Sequence, residues 1–313
     1  MKRIITPLLC LTLCIALGLS VYASLPENKL PTLTNSISVS DEEIASEDET
    51  QVTSEASPTP STSEAPTSFD SLKDEIYYKM LNSIDYFSTA KVSFSALFPG
   101  FDAEQNYTIE TNIDTGVSHQ TCSDNFIQTY SAADTAEAYE TYSDGNVIRE
   151  YNNLDRTFYT VSSIQERCSA TEEWGTSDRY YVDENGNPHY RYRSNPTNAD
   201  MAGECLFPQV SAFAYLTDKN LWTVDETVNY CNRECYAISG SVNESFAAQI
   251  GAETFMMYVD CETGILLKLC AYDATETPVS TMTVSEIQID APVAYSDTAY
   301  DMQKYEGYKE LTN

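Results

Sequence analysis

The residues that most often carry metal or acid–base chemistry are few in this chain. Among its 313 residues there are only two histidines, His119 and His189, and both lie in polar, strand-like surroundings. Cys231 and Cys235 form one Cys-x3-Cys pair, but no second pair with zinc-like spacing accompanies it, and no His-Glu-x-x-His sequence occurs. The sequence therefore predicts neither a metal site nor a cofactor.

Two short serine motifs raise the question of nucleophilic catalysis. Ser88 and Lys91 match the Ser-x-x-Lys motif of penicillin-recognising enzymes, and residues 123–125 read Ser-Asp-Asn. In those enzymes the serine opens a helix, whereas Ser88 follows a predicted helix and Lys91 opens a predicted strand. No Lys-Thr-Gly follows. We therefore predict that the protein is not an enzyme.

A tyrosine-rich hairpin is predicted over residues 179–193, with its turn at 184–187. The hairpin contains Tyr180, Tyr181, Tyr190 and Tyr192, and Trp174 lies nearby in the sequence. They would suit an aromatic platform for sugars or cell-wall glycan. Tyrosine is equally favoured in half-exposed strands. The structural and the glycan- or protein-binding interpretations both stay open.

A second hairpin, Tyr258–Asp273 (YVDCETGILLKLCAYD), carries two cysteines nine residues apart. If residues 262–264 form the loop with Gly264 left-handed, Phe255 faces Ala271, Met257 faces Leu269, Val259 faces Leu267 and Cys261 faces Ile265. Side chains alternate with a period of two, so Cys261 and Cys270 point to opposite faces. We predict that they are not bonded to each other and that Cys261 is a small core residue.

The elements that must position these residues begin with a helix. Ser68 or Ser71 can cap it, and Phe69, Leu72, Ile76, Met80, Ile84 and Phe87 recur at helical spacing, which predicts a helix ending near Phe87. Val92, Phe94, Ala96 and Phe98 then alternate along a strand. Further strands are predicted at 107–113, around the turn 143–146, and at 157–161, 221–228, 236–242, 255–261, 265–272 and 279–289, with a short helix within 200–217. The sum is an α+β domain on a large antiparallel sheet, covered by an N-terminal helix and a shorter inserted helix.

The first 68 residues predict export and a flexible arm. Lys2 and Arg3 precede an apolar run to about Val21, so residues 1–23 read as a signal peptide cleaved after Ala23; an uncleaved anchor is the alternative. Residues 24–68 predict a disordered acidic linker, because residues 35–68 hold eight acids, three prolines and no Lys or Arg. The folded domain is predicted over 69–313.

The charge of the mature chain excludes two classes of partner. Cleavage removes two basic residues and no acid, which leaves 15 basic and 48 acidic residues and a net charge near −33. Such a surface repels phosphate backbones and anionic headgroups, so we expect no nucleic-acid binding, and membrane contact only through an uncleaved N-terminal segment. Seven cysteines remain, so at least one is unpaired or pairs between chains.

The region 255–289, in which FMMYVDCETGILLKLCAYD precedes a strand ending in EIQID and then Pro292, resembles the closing strands of the lipoprotein carrier LolA and its relatives. The strand–turn–strand at 138–152 and the opening helix followed by a strand match in order. The resemblance implies an incomplete antiparallel barrel whose concave face, under helices, takes acyl chains or other hydrophobic molecules. No counterpart of the carrier's characteristic arginine is placed, and the insertion at 163–205 departs from the pattern.

A sheet with a continuous apolar face under a mobile helix makes a cavity where packing is incomplete, and methionines there tolerate varied ligands. The predicted lining set is Ile76, Met80, Ile84, Phe94, Phe98, Met257, Val259, Leu267 and Leu269. The sequence thus predicts a secreted or cell-surface domain that binds a lipid, a lipoprotein acyl chain or another hydrophobic ligand. A wall-glycan or protein-binding module that uses the tyrosine-rich hairpin is the alternative.

Overall fold

A twelve-stranded sheet dominates the computed structural model of this chain. The structure describes residues 69–99, 103–123, 138–161, 179–184, 186–195, 197, 201–292 and 304–311, all within one compact unit. The predicted signal peptide, the predicted linker and Trp174 lie outside the described residues.

The strands, in chain order, are β1 Thr89–Leu97, β2 Gln105–Asn112, β3 Val117–Ser123, β4 Tyr139–Asp144, β5 Ile148–Asn152, β6 Thr157–Val161, β7 Tyr180–Val182, β8 Pro188–Tyr190, β9 Trp222–Tyr230, β10 Arg233–Ser241, β11 Thr254–Asp260, β12 Leu266–Tyr272, β13 Pro278–Ile289 and β14 Lys309–Glu310. The helices are α1 Leu72–Leu81, α2 Gln209–Ser211, which continues as a π-helical segment Ala212–Leu216, and α3 Glu244–Ile250; short 3-10 turns span Ser83–Asp85 and Met201–Gly203.

Two antiparallel meanders form the large sheet, in the order β14-β6-β5-β4-β3-β2-β1-β13-β12-β11-β10-β9. The first runs from β1 to β6 and the second from β9 to β13, and the pairing of β1 with β13 joins them. Among the described strands, only β14 runs parallel to its neighbour, β6. The two end strands do not meet, so the sheet is an incomplete barrel, and the predicted α+β class with covering helices is confirmed.

Helix α1 begins as predicted and ends earlier. The Ser71 hydroxyl accepts a hydrogen bond from the Asp74 backbone N–H at 3.2 Å, which caps the first turn. The helix ends at Leu81 rather than near Phe87. The Asn82 N–H still donates to the Tyr78 carbonyl, but the Asn82 backbone leaves the helical conformation (φ −125°, ψ 25°), and its side chain donates to the same carbonyl at 2.9 Å. A 3-10 turn then keeps Ile84 directed into the core.

The main core lies between the inner face of the sheet and these helices. Val92, Phe94 and Ala96 alternate inward along β1 as predicted, and all are buried. Leu72, predicted on the apolar face of α1, is 42% exposed, so that face is shorter than the sequence indicates. Helix α3, with the buried Phe246, was not predicted.

Candidate functional site

The nine predicted lining residues come from distant parts of the chain and meet in one apolar interior. Eight of them are at most 5% exposed, Phe98 is partly buried, and all belong to the main core. The helix and its 3-10 turn bring Ile76, Met80 and Ile84; strand β1 and the residue after it bring Phe94 and Phe98; strands β11 and β12 bring Met257, Val259, Leu267 and Leu269. The structure therefore brings the whole predicted set together.

The π-helical segment adds aromatic residues that the sequence analysis did not single out. The Phe213 side chain is fully buried, and the Tyr215 ring lies 4.9 Å from the Phe255 ring of β11, centroid to centroid. The run Ala-Phe-Ala-Tyr-Leu at 212–216 was the available signal, since it is apolar without a break. Its rings add to the cover that α1 gives the inner face of the sheet.

The tyrosine-rich hairpin β7–β8 turns most of its rings inward. Tyr190 lies 5.2 Å from Phe213 and 5.5 Å from Phe246, and Tyr192 lies 5.2 Å from Phe213, between ring centroids. Tyr180 is within 5.4 Å of Tyr190. These tyrosines therefore cover the interior instead of forming an open platform.

Tyr181 is the exposed tyrosine of this hairpin. It is 39% exposed and stacks on His189 at 4.7 Å, with the Arg191 guanidinium 4.9 Å from its ring centroid. His189 lies 3.2 Å from an Asp183 carboxylate oxygen. A ligand that binds the outer surface of this hairpin would therefore meet the Tyr181 ring and the Arg191 guanidinium, and not a platform of several tyrosines.

Two arginines tie the hairpin to the end of α1 and to α2 with its π-helical continuation. We call the hairpin, α1 and α2 with its continuation the lid. Arg179 donates to the Leu81 carbonyl (2.7 Å) and to Asn82 Oδ1 (3.1 Å) at the end of α1, and it also bonds Gln209. Its Nε donates to the Arg191 carbonyl at 2.9 Å, within the hairpin. Arg179 thus holds three pieces of the lid at one point.

Arg193 makes the second tie through a buried ion pair. Its two terminal nitrogens donate to the two Asp85 carboxylate oxygens at 2.5 and 3.0 Å, and its side chain is 1% exposed. The geometry is the two-pronged pairing of a guanidinium with a carboxylate. Gln209 accepts from the Arg193 backbone N–H at 2.7 Å, so the same residue also meets α2.

The turn of the second hairpin holds α1 over the sheet. Gly264 has φ +75°, as predicted, and a Cβ there would lie 2.4 Å from the Lys79 carbonyl carbon and 2.7 Å from the Met80 nitrogen. The Lys79 ammonium donates to the Cys261 carbonyl at 2.7 Å. The close backbone contact requires glycine, and it fixes the position of Met80.

Asp260 shapes this turn from inside. Its carboxylate is 1% exposed, pairs with Arg233, and accepts from the Thr263 N–H (2.8 Å) and hydroxyl (2.7 Å). The Asp-x-x-Thr-Gly pattern is thus a self-bonded turn.

The predicted register of this hairpin holds for Phe255 with Ala271 and for Met257 with Leu269. A bulge between Tyr258 and Val259 then shifts the pairing, so that Val259 opposes Leu266 instead of Leu267.

That bulge also changes the position of one cysteine. Val259 and Asp260 are both buried, and Cys261 is half-buried, so the prediction that Cys261 is a small core residue is wrong. Cys270 opposes Met256, on the side of the sheet away from Met257 and Leu269, as predicted. No disulfide joins any two cysteines of the described residues; Cys168 lies outside them.

One acid lies beside the interior, next to the 3-10 turn Met201–Gly203. Burial of the Glu204 carboxyl raises its pKa to about 8. Burial, and then the neighbouring Glu204, raise the pKa of Tyr192. Burial therefore favours the neutral form of this carboxyl, which lies close enough to Tyr192 to influence the ionisation of that tyrosine.

Within the described residues, no group of three or more His, Cys, Asp and Glu side chains is arranged to hold a metal ion. No helix of that part of the chain is both long and apolar enough to cross a membrane.

Comparison with known proteins gives structural matches only. No family model and no curated protein matches this chain. An uncharacterized conserved protein from Thermus thermophilus aligns with 76% of this chain and 96% of its own, at 6% identity and TM-score 0.38. The Pseudomonas aeruginosa MucA/MucB complex aligns over 72% of this chain and 60% of the matched chain, at 9% identity and TM-score 0.39.

A LolA superfamily protein from Nitrosomonas europaea aligns with 72% of this chain and 97% of its own, at 9% identity and TM-score 0.24. The structural matches thus include a protein that is described as a LolA superfamily member. At such TM-scores the alignments carry no residue roles, so function is argued below from the contacts of this chain.

Proposed function

We propose that this chain is an exported, non-enzymatic domain that binds a lipid or the acyl chain of a lipoprotein between the inner face of the sheet and the lid. The observation that carries the proposal is the convergence of the nine lining residues. They come from one helix, one early strand and two late strands, and they form one apolar interior.

The lid is built from separate elements that pack on the sheet through buried apolar side chains and are tied to one another by polar contacts. Arg179 and Arg193 join the hairpin to α1 and to Gln209, and such hydrogen bonds exchange with water at a modest net cost. Beneath the lid lie Met80 and Met257, whose flexible side chains can adapt to apolar ligands of different shapes. For an apolar chain to enter, the lid must part from the sheet, so that contacts with the ligand replace the apolar contacts between lid and sheet while the strand pairing stays intact.

The charged and polar groups around the interior favour a ligand whose buried portion is apolar and uncharged. Burial favours the neutral form of Glu204, and a protonated carboxyl has one hydroxyl that can donate to a carbonyl group. An ester or amide that links an acyl chain to its carrier has such a carbonyl. The strongly acidic exterior disfavours anionic headgroups, which would remain outside.

Uptake of a fluorescent fatty acid by the full chain tests the proposal, together with native mass spectrometry of the protein purified from its own cells. We expect bound lipid in the native spectra. Leu269→Trp, which fills the interior, should weaken uptake at least about ten-fold. Leu154→Trp, at a position that is 40% exposed, should leave it unchanged.

The absence of both co-purified lipid and fatty-acid uptake in the folded wild-type chain would contradict the proposal. So would equal uptake by the two leucine variants, because the interior would then not be the binding site.

A further inference from the structure

The segment 304–311, near the end of the chain, docks on the outer face of the sheet, away from the lid. Lys91 lies on the polar side of β1 and opposes Glu110, which in turn opposes His119 on β3. His119 opposes Tyr142 on β4. Since directly opposed residues share a face, Tyr142 belongs to the outer face. It is there that Tyr142 contacts Tyr305, at 6.0 Å between ring centroids.

A buried carboxylate anchors this segment. The Glu140 side chain is 0% exposed, and its Oε2 accepts from the Lys304 ammonium at 2.8 Å and the Tyr305 hydroxyl at 2.9 Å. Its Oε1 accepts from Asn153 at 2.6 Å, and His119 Nε2 lies 3.3 Å from Oε2. One carboxylate thus binds a lysine and the tyrosine that follows it.

An aromatic slot receives the tyrosine ring. Tyr305 is 5% exposed and stacks on Tyr151 at 3.8 Å, centroid to centroid. Tyr308 packs edge-on to the same ring at 6.0 Å, and its hydroxyl donates to Asn153 Oδ1 at 3.0 Å. The slot therefore has places for two tyrosines three residues apart.

The end of the segment adds a strand to the open edge of the sheet. Lys309 N–H donates to the Arg156 carbonyl at 3.0 Å, and Leu311 N–H donates to the Phe158 carbonyl at 2.8 Å. The Glu310 carboxylate accepts from the Thr160 hydroxyl at 2.9 Å. This is recognition by strand addition, in which main-chain bonds give affinity and side-chain pockets give specificity.

These three parts form what we call the tail site: Glu140, Tyr142, Tyr151, Phe158 and the edge of β6. We propose that the tail site also accepts residues 304–311 of a second copy of this chain, so that two copies associate by exchanging their C-terminal segments. The contacts described above all come from the eight docked residues, so the site recognises a segment, whichever copy supplies it.

The length of the connection limits how far the segment can reach from the sheet. Residues 293–303 join β13 to the segment, and eleven residues reach at most about 39 Å when extended. Exchange of an identical element keeps every contact and costs no interface, which makes it a low-cost route to a dimer. The tail of the same copy competes at an effective concentration on the order of millimolar. Binding of a segment from a second copy should therefore become detectable when the segment of the same copy no longer occupies the tail site.

Two full-length variants remove it. The acceptor carries Lys304→Ala and Tyr305→Ala, which disable its own tail and leave the site intact. The donor carries Tyr151→Ala, which disables its site and leaves the tail intact; Glu140→Gln is a second donor should the first not fold. Circular dichroism establishes that both are folded.

Sedimentation velocity should show a 1:1 complex in the mixture of donor and acceptor and monomers of each variant alone. A labelled peptide of residues 304–311 should bind the acceptor, and Glu140→Gln in the acceptor should weaken this binding at least about ten-fold, because a charge-assisted bond is lost. A mixture of folded variants that stays monomeric overturns the proposal, even if the peptide binds. Equal peptide binding by the acceptor with and without Glu140→Gln overturns the assignment of Glu140.

Discussion

Replacing Gly264 by alanine should destabilise the domain through its contact with α1. Gly264 has φ +75°, and an added Cβ would lie 2.4 to 2.7 Å from backbone atoms of Lys79 and Met80. Backbone atoms within a helix have no rotamer to change, so the helix itself must shift. Gly251 is a matched control, because its φ is +71° and nothing lies within 4 Å of its added Cβ.

The two alanine variants share one cost and differ in the other. An L-residue in the left-handed conformation costs about 1 to 2 kcal/mol, and both variants bear this cost. Forcing an additional atom into a packed contact costs a further 1 to 3 kcal/mol, roughly, and only Gly264→Ala bears it. We therefore expect losses in the free energy of unfolding of about 1 to 2 kcal/mol for Gly251→Ala and about 2 to 5 kcal/mol for Gly264→Ala.

Urea unfolding followed by tryptophan fluorescence measures both losses, since Trp222 is 1% exposed in the folded state. The midpoint should fall further for Gly264→Ala, with an unchanged slope. Equal midpoints in the two variants would refute the reasoning, because α1 would then not be held against the turn. A shifted α1 should also change fatty-acid uptake in Gly264→Ala but not in Gly251→Ala.

Three further predictions concern charged groups. Arg193→Met leaves the Asp85 carboxylate without its buried partner and should lower the free energy of unfolding in urea by about 3 to 5 kcal/mol. The control is Lys219→Met, which removes an ion pair whose lysine is 44% exposed and should lower it by under about 1 kcal/mol. Similar losses in the two variants would contradict the role of the buried ion pair. Burial raises the pKa of Glu204 to about 8, so folding loses stability as the pH rises from 4.5 to 8; Glu204→Gln should match the wild type at pH 4 and exceed it at pH 8, and a constant difference would count against this. Burial alone would raise the pKa of Glu140, but hydrogen bonds from His119 and the tail outweigh it and lower the pKa to about 2, so its contribution is complete above pH 4.5 and is lost as the pH falls toward 2; acid unfolding of Glu140→Gln should lack this component.

The sequence was informative where a local pattern determines a local structure. Alternation along β1 predicted which side chains face inward, because successive side chains of a strand point to opposite faces of the sheet. The left-handed Gly264 followed from its place in the turn. The lining set could be assembled because each member lies on the apolar side of its own element.

Other features depend on contacts between distant segments and leave no local trace. Helix α1 stops at Asn82, where the backbone leaves the helical conformation, although Ile84 and Phe87 continue the helical spacing. The inward packing of Tyr190 depends on Phe213 and Phe246, which lie 23 and 56 residues further along the chain. The tail site joins Glu140 to Lys304 across 164 residues. No periodicity reports such pairings.

The pairing of β1 with β13 has a consequence for the order in which the chain folds. Ala90 opposes Ile289 and Leu97 opposes Thr281, so the middle of the sheet joins residues that lie almost 200 positions apart. Pairing two strands across so long a stretch of chain is slow. One edge of β1 therefore stays unpaired until β13 has been synthesised. We expect refolding to take milliseconds to seconds or longer, with a collapsed species that exposes both edges. During synthesis the edge of β1 that later pairs with β13 is therefore open to other partners, and the two meanders become one sheet only after almost the whole described domain has been made.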